Sequence, residues 1–175
     1  MHQTAFIVRV PNAEKLVGSL RERFDATVGL GVPAHITILA PFMPPEHITW
    51  TVLQKIQSTL RVMPSFTFSL TEVGRFPATA YLAPYPASAF VALTEALFRA
   101  FPDFPPFRGE HAAIVPHLTV ANGDADDAEL AALELGTRLQ ATGPLHGACT
   151  EVVLLENSTD RWEEMHVFAL GRKDD

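Results

Sequence analysis

The sequence passes twice through the same order of elements: a short apolar strand, a proline, an amphipathic helix, a loop, a strand bearing His-x-Thr, and another helix. In the first pass, Ala-Phe-Ile-Val-Arg-Val at 5–10 reads as a strand, and Pro11 ends it. Leu16, Val17, Leu20 and Phe24 then recur at helical spacing, predicting a helix over 12–24. Ala-His-Ile-Thr-Ile-Leu-Ala at 34–40 reads as a buried strand. In the second pass, strand 79–83 runs into Pro84 and Pro86. A helix carries Phe90, Leu93, Leu97 and Phe101, and strand 114–121 holds the second His-x-Thr. Pro11 matches Pro86 and His35 matches His117; the longer Pro-rich loop from 102 to about 111 absorbs the extra length of the second half. Such a duplication predicts an α+β fold of two pseudo-symmetric lobes, each an antiparallel sheet with outer helices. The active-site cleft then lies between the lobes, and residues 1–175 form a single bilobal domain.

The remaining elements fill in around this repeat. Pro44-Pro45 opens a helix with Ile48, Val52, Ile56 and Leu60. Residues 66–73 alternate apolar with Thr and Ser, a strand of period two. Acidic residues at 124–127 suit the first turn of a helix carrying Leu130, Leu133 and Leu139. Strands at about 148–156 and 162–170 form a hairpin around Asn157-Ser158-Thr159-Asp160.

His-x-Thr is a weak motif on its own. With 7 His and 15 Thr in 175 residues, composition alone predicts roughly 0.6 occurrences. The chain has three, at His35, His47 and His117. Periodicity separates them. On a strand, residues i and i+2 share a face, so His35 projects with Thr37 and His117 with Thr119, while Ile36, Ile38, Leu118 and Val120 enter the core. His47 precedes a helical series, where i and i+2 diverge, so His47-Ile48-Thr49 is a solvated helix start. A single buried strand His is usually structural. Two in matching contexts point to a shared cleft, because polar groups on apolar strands are costly unless paired or exposed to a ligand.

Composition removes several alternatives. The net charge of −7 leaves no basic footprint for a long duplex, which suits a small nucleotide or a short RNA end better. The lone Cys149 permits no internal disulfide, and the His and carboxylate spacings match no standard zinc pattern, so no metal is expected. Neither a signal peptide nor a membrane helix is apparent, so a soluble, cytoplasmic monomer is expected.

Ala-His-Ile-Thr-Ile-Leu-Ala-Pro-Phe at 34–42 and Pro-His-Leu-Thr-Val-Ala at 116–121 resemble the paired signatures of the 2H phosphoesterases. That superfamily includes bacterial 2′-5′ RNA ligases and RNA cyclic phosphodiesterases. The resemblance spans nearly the whole chain through element order and motif separation. It implies a cofactor-free cyclic phosphodiesterase that opens 2′,3′-cyclic phosphates of nucleotides or RNA ends to 2′-phosphomonoesters. Its catalytic residues would be His35, Thr37, His117 and Thr119, with His117 as base and His35 as acid. The residue types fit that work: imidazoles exchange protons near neutral pH, and Thr hydroxyls donate to phosphate oxygens. The best-known RNA ligases carry an Arg shortly after the second signature, where this chain has Val120-Ala121-Asn122-Gly123. Arg75 and Phe76, with Tyr81 and Phe42, are candidate substrate contacts through phosphate pairing and base stacking. Reversible 2′-5′ ligation, cleavage of another small cyclic phosphodiester, and non-catalytic binding of nucleotides or RNA ends are the alternatives.

Overall fold

In the computed structural model, which describes residues 1–111 and 113–172, eight strands form one curled antiparallel sheet. They are β1 (Thr4–Arg9), β2 (His35–Leu39), β3 (Phe66–Phe76), β4 (Thr79–Tyr85), β5 (Leu118–Asn122), β6 (Leu145–Cys149), β7 (Glu151–Glu156) and β8 (Glu163–Ala169). The helices are α1 (Glu14–Phe24), α2 (Trp50–Arg61), α3 (Ser88–Ala100) and α4 (Ala125–Thr142). The strand order β6-β3-β4-β5-β2-β1-β7-β8 divides at the β5–β2 junction. One lobe reads outward as β2-β1-β7-β8 and the other as β5-β4-β3-β6, so the repeated unit β1–α1–β2 corresponds to β4–α3–β5. The junction is narrow, with Ile36 opposite Leu118.

The helices tie the lobes together by exchange. α1, which follows β1, packs on β5 and α4 under the other lobe, while α3, which follows β4, packs on β2 and α2. Thr94 on α3 donates to the Ile38 carbonyl of β2 at 2.6 Å. Arg138 on α4 donates to the Leu16 carbonyl and the Ser19 hydroxyl of α1, each at 2.9 Å. The main apolar core spans both lobes, with Phe6, Val8, Ile36, Ile38, Leu118, Val120, Phe68, Leu82, Leu154 and Phe168 facing the helices. No helix among the described residues is long and apolar enough to cross a membrane.

Local chemistry sets the element ends. Thr49 caps α2 by accepting from the Val52 amide, so the helix expected to open at Pro44-Pro45 begins at Trp50; Pro45–His47 is a separate 3₁₀ turn, and the threonine of the His47 triplet serves as the helix cap. Asp124 caps α4 by accepting from the Asp127 amide at 2.8 Å.

Three expectations need correction. On α4, Leu130 and Leu133 are 57% and 67% exposed; the buried face is Ala128, Ala131 and Leu135. Small residues win there because Ala131 packs against Ala80 and Ala121 of the sheet, which brings the helix close. The expected strand at 148–156 is two strands. Residues up to Cys149 pair with β3 in one lobe, and the chain crosses at Thr150 to pair with β1 and β8 in the other. β6 has little strand signature because Gly147 must stay small: a side chain there would overlap the Phe68 ring. The strand of the second signature begins at Leu118, after Pro116 interrupts the donor ladder.

Candidate functional site

The helix-covered face of β2 and β5 takes Ile36, Ile38, Leu118 and Val120, all 3% exposed or less. The alternate residues therefore emerge on the opposite, open face. Antiparallel register from the Ile36–Leu118 pair sets Thr37 opposite His117 and His35 opposite Thr119. The two histidines are diagonal neighbours across one strand pair, a spacing of about 7–8 Å between backbones. Each threonine adjoins the histidine of the other lobe.

The two imidazoles are held in the same way. His35 Nδ1 lies 2.7 Å from the Pro33 carbonyl, and His117 Nδ1 lies 2.7 Å from the Val115 carbonyl. A carbonyl only accepts, so Nδ1 carries the proton in both rings and Nε2 is left for the cleft. Burial pushes the His35 imidazole down from 6.5 to about 4; the bond to Pro33 opposes this and the Arg21 charge adds to it. His117 is also lowered, chiefly by burial, against its bond to Val115 and with a contribution from His111. Burial thus holds both rings toward the neutral form in the free protein.

Two cavities flank the pair. One, of about 430 Å³, is lined by His35 and Thr37 with Gln3, Thr27, Arg108 and Trp162. The other, of about 690 Å³, is lined by His117 and Thr119 with Phe76, His111 and Asn122. Phe107 lines both. Phe107 and Arg108 have φ of 49° and 56°, left-handed backbone that costs a non-glycine residue about 1–2 kcal/mol. The Phe107 amide donates to the Ala40 carbonyl at 2.8 Å, which fastens this turn to the end of β2.

The sequence-derived substrate contacts separate clearly. Phe76 and Tyr81 pack on His117, with ring centroids 5.2 and 5.4 Å away and 4.7 Å from each other. Arg75 lies on the other side of the sheet, paired with Ala80 of the helix-facing surface and donating to the Ala125 carbonyl at 3.3 Å. Successive strand residues face opposite ways, so Arg75 and Phe76 cannot share the cleft. Phe42 is a core residue, 3% exposed and packed against Phe6, Phe101 and Phe104. Among the described residues, no three His, Cys, Asp or Glu side chains converge as a metal site.

Sequence reasoning missed several residues of the cleft. Asn122 reaches it because a bulge leaves Val120 without a partner between the pairs Tyr81–Thr119 and Ala80–Ala121. Trp162, read as hairpin structure, packs with Val32, Val153 and Leu155 beside the His35 cavity. Phe107, Arg108 and His111 come from the Pro-rich loop, which carries no periodic signal. The buried pair Arg21–Asp25 (2% and 6% exposed) was also missed. Its guanidinium bonds Asp25 and the Val32 carbonyl, while Asp25 accepts from the Thr27 amide and hydroxyl. An Arg and Asp four apart near a helix end was the available signal.

Gly74 offers a test of this packing. It pairs with Tyr81, whose ring covers the space where a side chain would start. Gly74→Ala should displace Tyr81 and with it the aromatic support of His117. We expect a loss of about 1–3 kcal/mol in stability from overpacking, read by chemical denaturation, with a larger proportional loss in any activity that depends on His117.

The open face thus joins two histidines with matched Nδ1 hydrogen bonds, two threonines and two flanking cavities that share Phe107. The chain belongs to the 2′-5′ RNA ligase superfamily, whose family model matches residues 10–161. A "Putative phosphoesterase" of Bacillus cytotoxicus is 30% identical over 116 residues, which cover 63% of this chain and 64% of that protein's length. The fold is shared with TT0787 of Thermus thermophilus (TM-score 0.62, 17% identity, covering 98% of this chain and 100% of that one). It is also shared with E. coli LigT complexed with 3′-AMP (TM-score 0.62, 15% identity, covering 97% and 98%).

Proposed function

We propose that this protein hydrolyses 2′,3′-cyclic phosphodiesters of nucleotides or RNA ends to 2′-phosphomonoesters, using His35 and His117 as an acid–base pair. The observation that carries this reading is the matched hydrogen bonding of the two rings, each Nδ1 tied to a carbonyl two residues upstream. That leaves two Nε2 atoms as the proton-exchanging groups of one cleft. In the proposed reaction, His117 Nε2 takes a proton from water, whose oxygen bonds to phosphorus. The P–O3′ bond breaks, and His35 Nε2–H delivers a proton to the departing 3′ oxygen. Thr37 and Thr119 donate to the non-bridging oxygens as charge builds there. The 3′-AMP in the LigT structure supports a nucleotide as ligand class, and the Phe76–Tyr81 pair beside His117 suits a base or ribose face.

The chemistry needs one imidazole protonated and the other neutral. Both are lowered below 6.5 in the free protein, so that state is most populated between two values that lie under 6.5. The pH profile of kcat/KM, which reports the free enzyme, should therefore peak below pH 6.5 and fall as pH rises through 7 and 8. The experiment is turnover of 2′,3′-cyclic AMP by the purified protein in excess chelator from pH 4.5 to 8.5. Activity with an acid-side maximum supports the reading. Absence of turnover across a panel of 2′,3′-cyclic nucleotides and cyclic-phosphate-ended RNA sinks it.

A further inference from the structure

The stretch after the second signature, Val120 to Gly123, contributes no cation to the cleft. A ligand that carries a phosphate is held best where a cation lines the cleft. Among the described residues, Arg108 is the one Lys or Arg lining either cavity. It reaches the His35 cavity from an unusual backbone. Phe107, Arg108 and Gly109 run in succession at φ of 49°, 56° and 76°, and only the third is the residue type that adopts such angles freely. A left-handed pair of non-glycine residues persists where the surroundings hold it in place. Here the Phe107 amide is bonded to Ala40 and its ring packs on His111 at 5.4 Å. The result places an aromatic ring between the two cavities and a guanidinium at the rim of the one containing His35.

We propose that Arg108 is the anion-binding residue of this cleft, and that it clamps a phosphate of the ligand from the Pro-rich loop. The proposal rests on the phosphoesterase reading for its ligand class. Arg108 is exposed, so its fork is open to a ligand phosphate. Glu110 lines the same cavity and opposes an anion there, which makes the Arg108 charge the one that decides the sign at the rim. In this role Arg108 lowers KM far more than it raises kcat, because it holds the bound anion before and after the bond breaks.

The test uses inorganic phosphate and 2′-AMP as probes, with the Kd for each measured calorimetrically on the full chain. Arg108→Ala should weaken both by about tenfold or more, the scale of one charge-assisted hydrogen bond. Arg108→Lys should restore part of the loss, since it keeps the charge and gives up the fork. Glu110→Gln should tighten both. Arg108→Gly should weaken binding to the same extent while melting higher than Arg108→Ala, because glycine relieves the left-handed turn. If only 2′-AMP responds, the guanidinium serves a nucleotide phosphate within a larger ligand; if both respond, it serves phosphate itself. Either supports the clamp. Wild-type affinity in Arg108→Ala for both probes, or no saturable binding of either by the wild type, overturns it. Turnover of 2′,3′-cyclic AMP is followed in parallel. Hydrolysis that survives with unchanged KM in Arg108→Ala removes the clamp and leaves the phosphoesterase reading standing. Phosphate binding through Arg108 without turnover of any cyclic substrate does the reverse.

Discussion

Replacing His35 or His117 singly with alanine should lower kcat on a 2′,3′-cyclic nucleotide by about 10²–10⁴-fold, the usual contribution of one positioned acid or base. The double variant should fall little further than the worse single one, because two groups acting in one proton relay do not contribute additively. The structure explains why the effect should fall on chemistry more than on folding. Both side chains emerge on the open face of β2 and β5, whereas the core under them is made by Ile36, Ile38, Leu118 and Val120. Neither imidazole is needed to fill that core, so the variants should unfold at nearly the wild-type denaturant midpoint. His47→Ala is the internal control. Its triplet has the same spelling, but it lies in the turn before α2 and should leave turnover unchanged.

The second large effect is expected at Asp25. Arg21 is almost wholly buried, and its guanidinium is satisfied by Asp25 and the Val32 carbonyl, with Glu14 at 3.9 Å. Asp25→Ala leaves that charge buried without its carboxylate, which typically costs about 3–5 kcal/mol. For a domain whose total stability is about 5–15 kcal/mol, this is a loss that urea denaturation will read easily. The site should suffer too. Asp25 holds Thr27, Arg21 holds Val32, and Glu14 accepts from the Ala34 amide at 2.7 Å. Together they fix the segment that ends at Pro33, the carbonyl partner of His35. Asp25→Asn keeps the hydrogen bonds to Thr27 and gives up the charge, so it should fall between wild type and alanine in stability. A stable Asp25→Ala protein with the wild-type midpoint would contradict this account of the loop.

The parts of the fold legible in the sequence are those with a strong period. The His35 and His117 strands stand out because polar residues at every second position interrupt apolar runs, and because the pattern occurs twice. The exchange of α1 and α3 between lobes is not legible, since an amphipathic helix records that it has a buried face and not which strand covers it. Arg75 and Phe76 show the limit from the other side: they are adjacent candidates on one strand, and alternation permits only one of them to face the cleft. The register shift in β3 between Leu70 and Glu72 is what decides which. Phe42 follows the signature in sequence, but the chain turns at Pro41 and its amide bonds the Thr4 carbonyl, which drives the ring into the core. Trp162, Phe107 and Arg108 reach the site from loops distant in sequence, where no periodicity exists to read.

The proposed acid–base pair is tested most directly by ³¹P NMR of 2′,3′-cyclic AMP incubated with the protein in chelator, beside the His35→Ala plus His117→Ala variant. The account predicts conversion of the cyclic resonance to 2′-AMP by the wild type alone. An unchanged cyclic resonance with the wild type, or equal conversion by the double variant, would contradict it.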